Sequence, residues 1–229
     1  MAAKNVTIGE EKEAPKLNKK QLFKDAFYVG VKGIGELGLK LFSDLMIEGE
    51  ENVPVLGKGI ITTISDNPMR DMLLISQLTG RKVHFMLDPK LIRHKVYGPV
   101  LKNLGMFRST ENKEDKEPIE KVFHLLNEKR DLVAMTPETK YEYETQVKAM
   151  AAIIKFAIAA DAPIIPVGIS TQKAKIFDLI PTKGFYLKVG SPLEIEKKLN
   201  RDKYRSQRYE LAEDIIKIVD SLKIKKDES

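Results

Sequence analysis

"GIITTISDNPMRDMLLI", residues 59–75, decides the fold. Ile60 to Ile64 are β-branched without a break, which favours a buried strand over 59–65. Ser65, Asp66, Asn67 and Pro68 are turn-forming residues. Beyond Pro68 the apolar residues take helical spacing, so the stretch predicts a helix over 69–79. A buried strand that turns directly into a helix is the unit of an α/β fold. Such folds place functional side chains where strands lead into helices, at their carboxyl ends. Asp66 and Asp71 bracket this turn, the geometry of a catalytic pair.

The same alternation extends in both directions. Upstream, a short strand ends near Ile47 and "NVPVLGKG" supplies a turn. Downstream, strands are expected at 81–87, 131–136, 162–169 and 184–192. Helices are expected at 89–105 (one or two, with Gly98-Pro99 between them), 117–130, 144–160 and 202–226. Pro118 suits the first turn of its helix. Strands alternating with helices predict an α/β fold with a layered, mostly parallel sheet flanked by helices. A second strand end, "TPETK" (136–140), stands out beside "SDNPMRD" (65–71).

The amino-terminal part differs. Residues 1–16 are polar and charged and read as a disordered or loosely docked tail. In 17–46, Leu22, Phe23, Ala26, Phe27, Val31, Ile34, Leu37, Leu41, Phe42 and Leu45 recur at helical spacing, with lysines 19, 20, 24, 32 and 40 interleaved. This is an amphipathic helical segment weakened by Gly30, Gly33, Gly35 and Gly38. It reads either as a helix packed on the domain or as a membrane-surface helix. The α/β domain then occupies 47–229.

Composition narrows the chemistry. The 229 residues hold no cysteine, which removes disulfides, thiol nucleophiles and Cys-ligated metal. No secretory leader is expected, nor any run of about 18 apolar residues that would span a bilayer. Hydrophobic and charged contents of 42% and 31% fit a soluble domain with a heavily charged surface. The net charge of +6 suits anionic partners: lipid head groups, phosphorylated metabolites or acyl carriers. No aromatic-basic strand or zinc-finger spacing indicates nucleic acid.

Five blocks, in order and at compatible spacing, resemble the glycerolipid acyltransferase family, which includes 1-acylglycerol-3-phosphate acyltransferases. They are "IEGEENVPVLGKGII" (47–61), "SDNPMRD" (65–71), "VHFMLDPKLIRHKVYGPVLKNLG" (83–105), "TPETK" (136–140) and "APIIPV" (162–167). In the third block Leu91, Gly98, Leu101, Leu104 and Gly105 are in step with the family. The resemblance spans about 47–192. It implies acyl transfer from a thioester, acyl-CoA or acyl carrier protein as co-substrate with no other cofactor, to a hydroxyl of a lipid or phosphorylated acceptor. It also implies a cytoplasmic protein, peripherally bound to the inner face of a membrane.

The family uses a histidine to deprotonate the acceptor hydroxyl and an aspartate to orient it; a hydroxyl needs such a base near neutral pH. With Asp71 on the family aspartate, Asp66 takes the place of the histidine. With Asn67 on the family asparagine, the place falls on Pro68. The "E-G-T-R" block is represented by Glu138, Thr139 and Lys140, without its glycine. Arg70 and Arg108 join these three as candidate substrate contacts. His94 is the best of three histidines, with His84 and His124, as a replacement base.

Three readings follow. In the first, Asp66 is the base and Asp71, its neighbour, makes it a better one. In the second, the chain is a catalytically inactive lipid-binding or regulatory module. In the third, Asp66, Asp71 and Glu138 hold a divalent cation in a hydrolase or transferase. Asp66 also reads as an Asx-type turn residue, and Asp71 as a residue that caps the helix or favours its dipole.

Overall fold

The computed structural model describes residues 18–112, 114–176 and 180–223. The tail at 1–16 and the end of the expected closing helix, 224–226, lie outside them. The elements run α1 (Lys19–Phe42), β1 (Asp44–Glu48), β2 (Gly59–Thr62), α2 (Pro68–Ile75), β3 (Val83–Leu87), α3 (Pro89–Arg93), α4 (Tyr97–Asn103), β4 (Phe107–Arg108), α5 (Glu117–Phe123), β5 (Leu132–Met135), α6 (Tyr143–Ala160), β6 (Ile164–Ile176), β7 (Ile180–Val189) and α7 (Arg205–Ser221).

Among the described residues seven strands form one sheet in the order β1-β7-β6-β2-β5-β3-β4. β2, β3, β4, β5 and β6 run parallel. β7 turns back antiparallel against β6, and β1 pairs parallel with β7. The sheet is therefore mostly parallel, as its strand–helix alternation predicts. The exception comes from the β6–β7 ribbon, whose strands meet without an intervening helix. β6 runs well past the expected 169, because its extension is paired all along β7.

Helices cover both faces. One layer packs α5, α6 and α7 on Ile60, Ile64, Val133, Met135 and Ile164. The other packs α1, α2, α3 and α4 on Ile61, Phe85, Leu87, Ala134 and Ile165. All four residues of β2 and all four of β5 are buried, so these two strands form the centre. That explains their near-continuous apolar sequence: a strand covered on both faces has no polar side.

Several local expectations change. α1 is one helix despite its glycines, and β1 starts at Asp44, inside the stretch 17–46 read as helical. Gly35 lies close over α2, where a Cβ would meet Leu73 Cδ1 at 2.5 Å. Lys32 turns inward to donate to the Thr79 carbonyl instead of joining the outer lysines. Gly98-Pro99 does not separate two helices but lies in the first turn of α4. A Cβ at Gly98 would stand 2.4 Å from the Ile92 carbonyl oxygen, which fixes how closely α4 follows α3. The helix from Glu117 widens into a π turn over His124–Glu128.

Candidate active site

The two blocks singled out in the sequence meet at the centre of the sheet. Beyond β2 and β5 the chains stay zipped: the Ser65 N–H donates to the Pro137 carbonyl and the Thr139 N–H donates to the Ser65 carbonyl, both at 2.8 Å. Ser65 and Glu138 therefore stand side by side at the carboxyl ends of adjacent parallel strands.

The turn into α2 is built from its own side chains. Asn67 caps the helix, its Oδ1 accepting from the Arg70 N–H at 3.1 Å, and Pro68 occupies the first helical position. The cap thus belongs to Asn67 rather than Asp71. The first helical hydrogen bond, Asp71 N–H to Asn67 carbonyl at 2.9 Å, puts Asp71 in the first turn, where a negative charge suits the helix dipole. From there Asp71 reaches back over the end of β2, and its Oδ2 accepts the Ser65 hydroxyl at 2.6 Å.

Arg70 stands between the two aspartates. Its Nε donates to Asp71 Oδ1 at 2.8 Å, and its terminal nitrogens pair with the Asp66 carboxylate. Asp66 and Asp71 differ sharply in setting: their side chains are 63% and 3% exposed. Burial raises the Asp71 carboxyl above the usual carboxylate range, while Ser65 and Arg70 hold it down in part. Burial also works against the Arg70 charge, but its bonds to Asp66 and Asp71 outweigh this and raise it. The carboxylates are thus separated by a shared guanidinium; Asp71 is not a bare neighbour that tunes Asp66.

The remaining candidates are also paired. Lys140 bonds Glu138 at 2.8 Å and lies 3.6 Å from Asp88, so its ammonium is raised, first by the Glu138 hydrogen bond. Asp88 also caps α3, accepting from the Lys90 N–H at 2.8 Å. Thr139 contributes through its backbone, to Ser65. Arg108 is at the end of β4, held by Asp115 and Glu117, and its guanidinium is raised, first by Asp115. It lies with Glu111 at 3.6 Å, not with Arg70 or Lys140. Among the described residues Asp66, Asp71 and Glu138 do not come together as a group that could hold a metal ion.

No histidine enters this site. His94 is exposed at the end of α3; its Nδ1 accepts from the backbone of Val96 and Tyr97 at 3.2 and 3.3 Å and its ring stacks on Tyr97. With Nδ1 accepting, the proton is on Nε2, which leaves the ring no free lone pair for a substrate hydroxyl. His84 is wedged between the Gly105 carbonyl and Asp131, and His124 pairs with Glu128.

A cavity of about 310 Å³ adjoins Glu138 and Asp88. Met86, Met135, Ala149, Ile153 and Phe156 give it apolar walls, with Ser109 and Thr110 on the β4 side. Sequence reading missed Ser65, Asp88 and this cavity. "DP" at 88–89 is a helix-start signal that marks Asp88; the small residues Ala149 and Ala152 on α6 leave the space, but small residues alone name no ligand.

The family model described as Acyltransferase matches residues 44–170, which hold β1 to β5, α6 and both strand ends of the site. A search of curated proteins gives no match. A similar solved structure is the 1-acyl-sn-glycerophosphate (LPA) acyltransferase PlsC from Thermotoga maritima, at 18% identity and a TM-score of 0.60, over 90% of this chain and 84% of that one. That likeness is one of fold. The family match covers more than half of the chain, and the chain belongs to the acyltransferase family.

Proposed function

We propose that this acyltransferase-family protein binds the acyl chain of a lipid or thioester next to the β2–β5 strand ends and does not carry out the family's base-driven transfer. The observation that carries this reading is the place of Arg70. It satisfies both carboxylates of the position where the family has a histidine–aspartate pair. The exposed carboxylate is ion-paired with Arg70, and the buried one is closed off behind Ser65 and Arg70. Lys140 and Arg108 are likewise occupied by carboxylates, which weakens the case for a phosphorylated acceptor held as in the family. What stays open is the apolar cavity, of a size that suits part of a hydrocarbon chain.

The outer face of α1 supports peripheral membrane binding. Leu22, Phe23, Val29, Ile34, Leu37 and Leu41 are exposed there, while Tyr28 and Leu39 bury the inner face. Lys19, Lys20 and Lys24 supply positive charge at its amino-terminal end. This is the pattern of a helix lying at a lipid surface. No helix among the described residues is long and apolar enough to cross a membrane.

A second reading keeps catalysis. Asp66 is exposed and reachable, and as a carboxylate it would accept the acceptor's proton while that oxygen attacks the thioester carbonyl and the thiol leaves. A fatty-acyl fluorophore titration, run beside a transfer assay with acyl-CoA donors, separates the two: binding without transfer supports the first reading, and transfer that Asp66→Asn abolishes supports the second.

A further inference from the structure

A second, larger cleft of about 960 Å³ runs along the β4 edge of the sheet. Residues of α1 and α4 line it on one side, and residues of α5 and its π turn on the other. It reaches Lys82 and Asp131, which immediately precede β3 and β5. It therefore extends toward the amino ends of the strands, whereas Ser65 and Glu138 are at carboxyl ends.

Seven Lys and Arg side chains line this cleft against three Asp and Glu. Three of the cations are neutralised: Lys82 by Asp25 at 3.1 Å, Arg93 by Glu111, and Arg108 by Asp115 and Glu117. Lys24, Lys102, Lys121 and Lys129 have no ion pair among the described residues. They come from α1, α4, α5 and the end of the π turn, so the fold, not one run of sequence, gathers them. Like charges on a concave surface focus a field that attracts a multivalent anion. Ammonium groups on flexible stems bind phosphate oxygens as point charges. Ile92, Met106, Phe107 and Leu125 add an apolar lining, which suits an organic ligand.

We propose that this cleft is a binding site for an organic phosphate with two or more negative charges, held by Lys24, Lys102, Lys121 and Lys129. The inference does not depend on the acyl-chain reading. A soluble phosphorylated molecule and a phosphomonoester lipid head group offer the same chemistry, and Lys24 is next to the exposed Leu22 and Phe23 of α1.

The test titrates the full chain calorimetrically with inorganic pyrophosphate and, separately, with phosphatidylcholine vesicles doped with phosphatidic acid. Saturable one-to-one pyrophosphate binding is expected, weakened about tenfold in Lys102→Gln/Lys121→Gln, because each lost charge-assisted contact costs affinity. Lys173→Gln/Lys175→Gln, the same charge change on the exposed part of β6, should leave it unaltered. Binding to the vesicles alone, with the same dependence on Lys102 and Lys121, would support the site and identify a head group as its source. Equal weakening in the two double variants would show diffuse charge, and no saturable binding of either probe would show no site; both outcomes overturn the proposal.

Discussion

The Ser65 hydroxyl donates to Asp71 Oδ2 at 2.6 Å, across the turn that joins the central strand β2 to α2. With Arg70 Nε on Oδ1, both oxygens of this buried carboxylate are engaged. Asp71 thereby ties a strand end to a helix start. A structural Asp71 has consequences for stability that an orienting residue alone would not have.

Arg70→Gln should destabilise the fold by about 3 kcal/mol near neutral pH, because it leaves a buried carboxylate with one neutral partner. The deficit should depend on pH. The folded pKa of Asp71 is raised by burial, so its contribution to folding is most favourable when protonated and falls as pH rises from the ordinary carboxylate value through the folded one. Removing Arg70 takes away a group that holds this pKa down, which widens the fall. Urea melts should show wild type and variant close together at about pH 4 and furthest apart above the raised value.

Ala149→Phe should fill the cavity between α6 and the ends of β3 and β5. Ala149 is only half-buried, so the new ring can occupy existing space without repacking the core. Affinity for a fatty-acyl fluorophore should fall at least about tenfold while the melting temperature changes little. Unchanged affinity would place the chain elsewhere.

Ile34→Asp/Leu37→Asp should abolish binding to anionic vesicles. Both residues are exposed on α1, so each substitution should cost within about 0.5 kcal/mol of stability. Binding of the wild type should weaken with salt, because part of it comes from lysines near the lipid phosphates. Co-sedimentation of both proteins, at low and high salt, checks this.

Gly98→Ala should destabilise by about 1–3 kcal/mol, since the new Cβ would press on the Ile92 carbonyl, a backbone atom that cannot rotate away. Gly30→Ala should not, because nothing lies within 4 Å of a Cβ there. Chemical denaturation of the two variants makes the comparison.

The fold was largely legible because its signals are local. The β-branched run at Ile60–Ile64, the Asn67-Pro68 helix start and the turn chemistry at 65–68 each dictate their own backbone. The strand–helix junction at 65–71 was legible too, since it is set by the same residues. The direction of β7 was not: it depends on the long pairing with β6, and pattern alone does not orient a strand. Nor was the state of the site. Whether Arg70 faces solvent, a phosphate or two aspartates depends on where the folded turn sets Asp66 and Asp71 around its side chain, which the residue order alone does not give. The Lys24, Lys102, Lys121 and Lys129 cluster was invisible because the fold assembles it from three distant stretches, on α1, on α4 and on the helix that runs from α5 into its π turn.

The most direct test of the account is acyl transfer itself, measured on wild type, Asp66→Asn and Asp66→His with acyl-CoA donors and hydroxyl-bearing lipid acceptors, alongside fluorophore binding. The account expects fatty-acyl binding in all three proteins and no transfer by wild type or Asp66→Asn. Transfer by wild type that disappears in Asp66→Asn, with binding intact, would contradict it and establish Asp66 as the base.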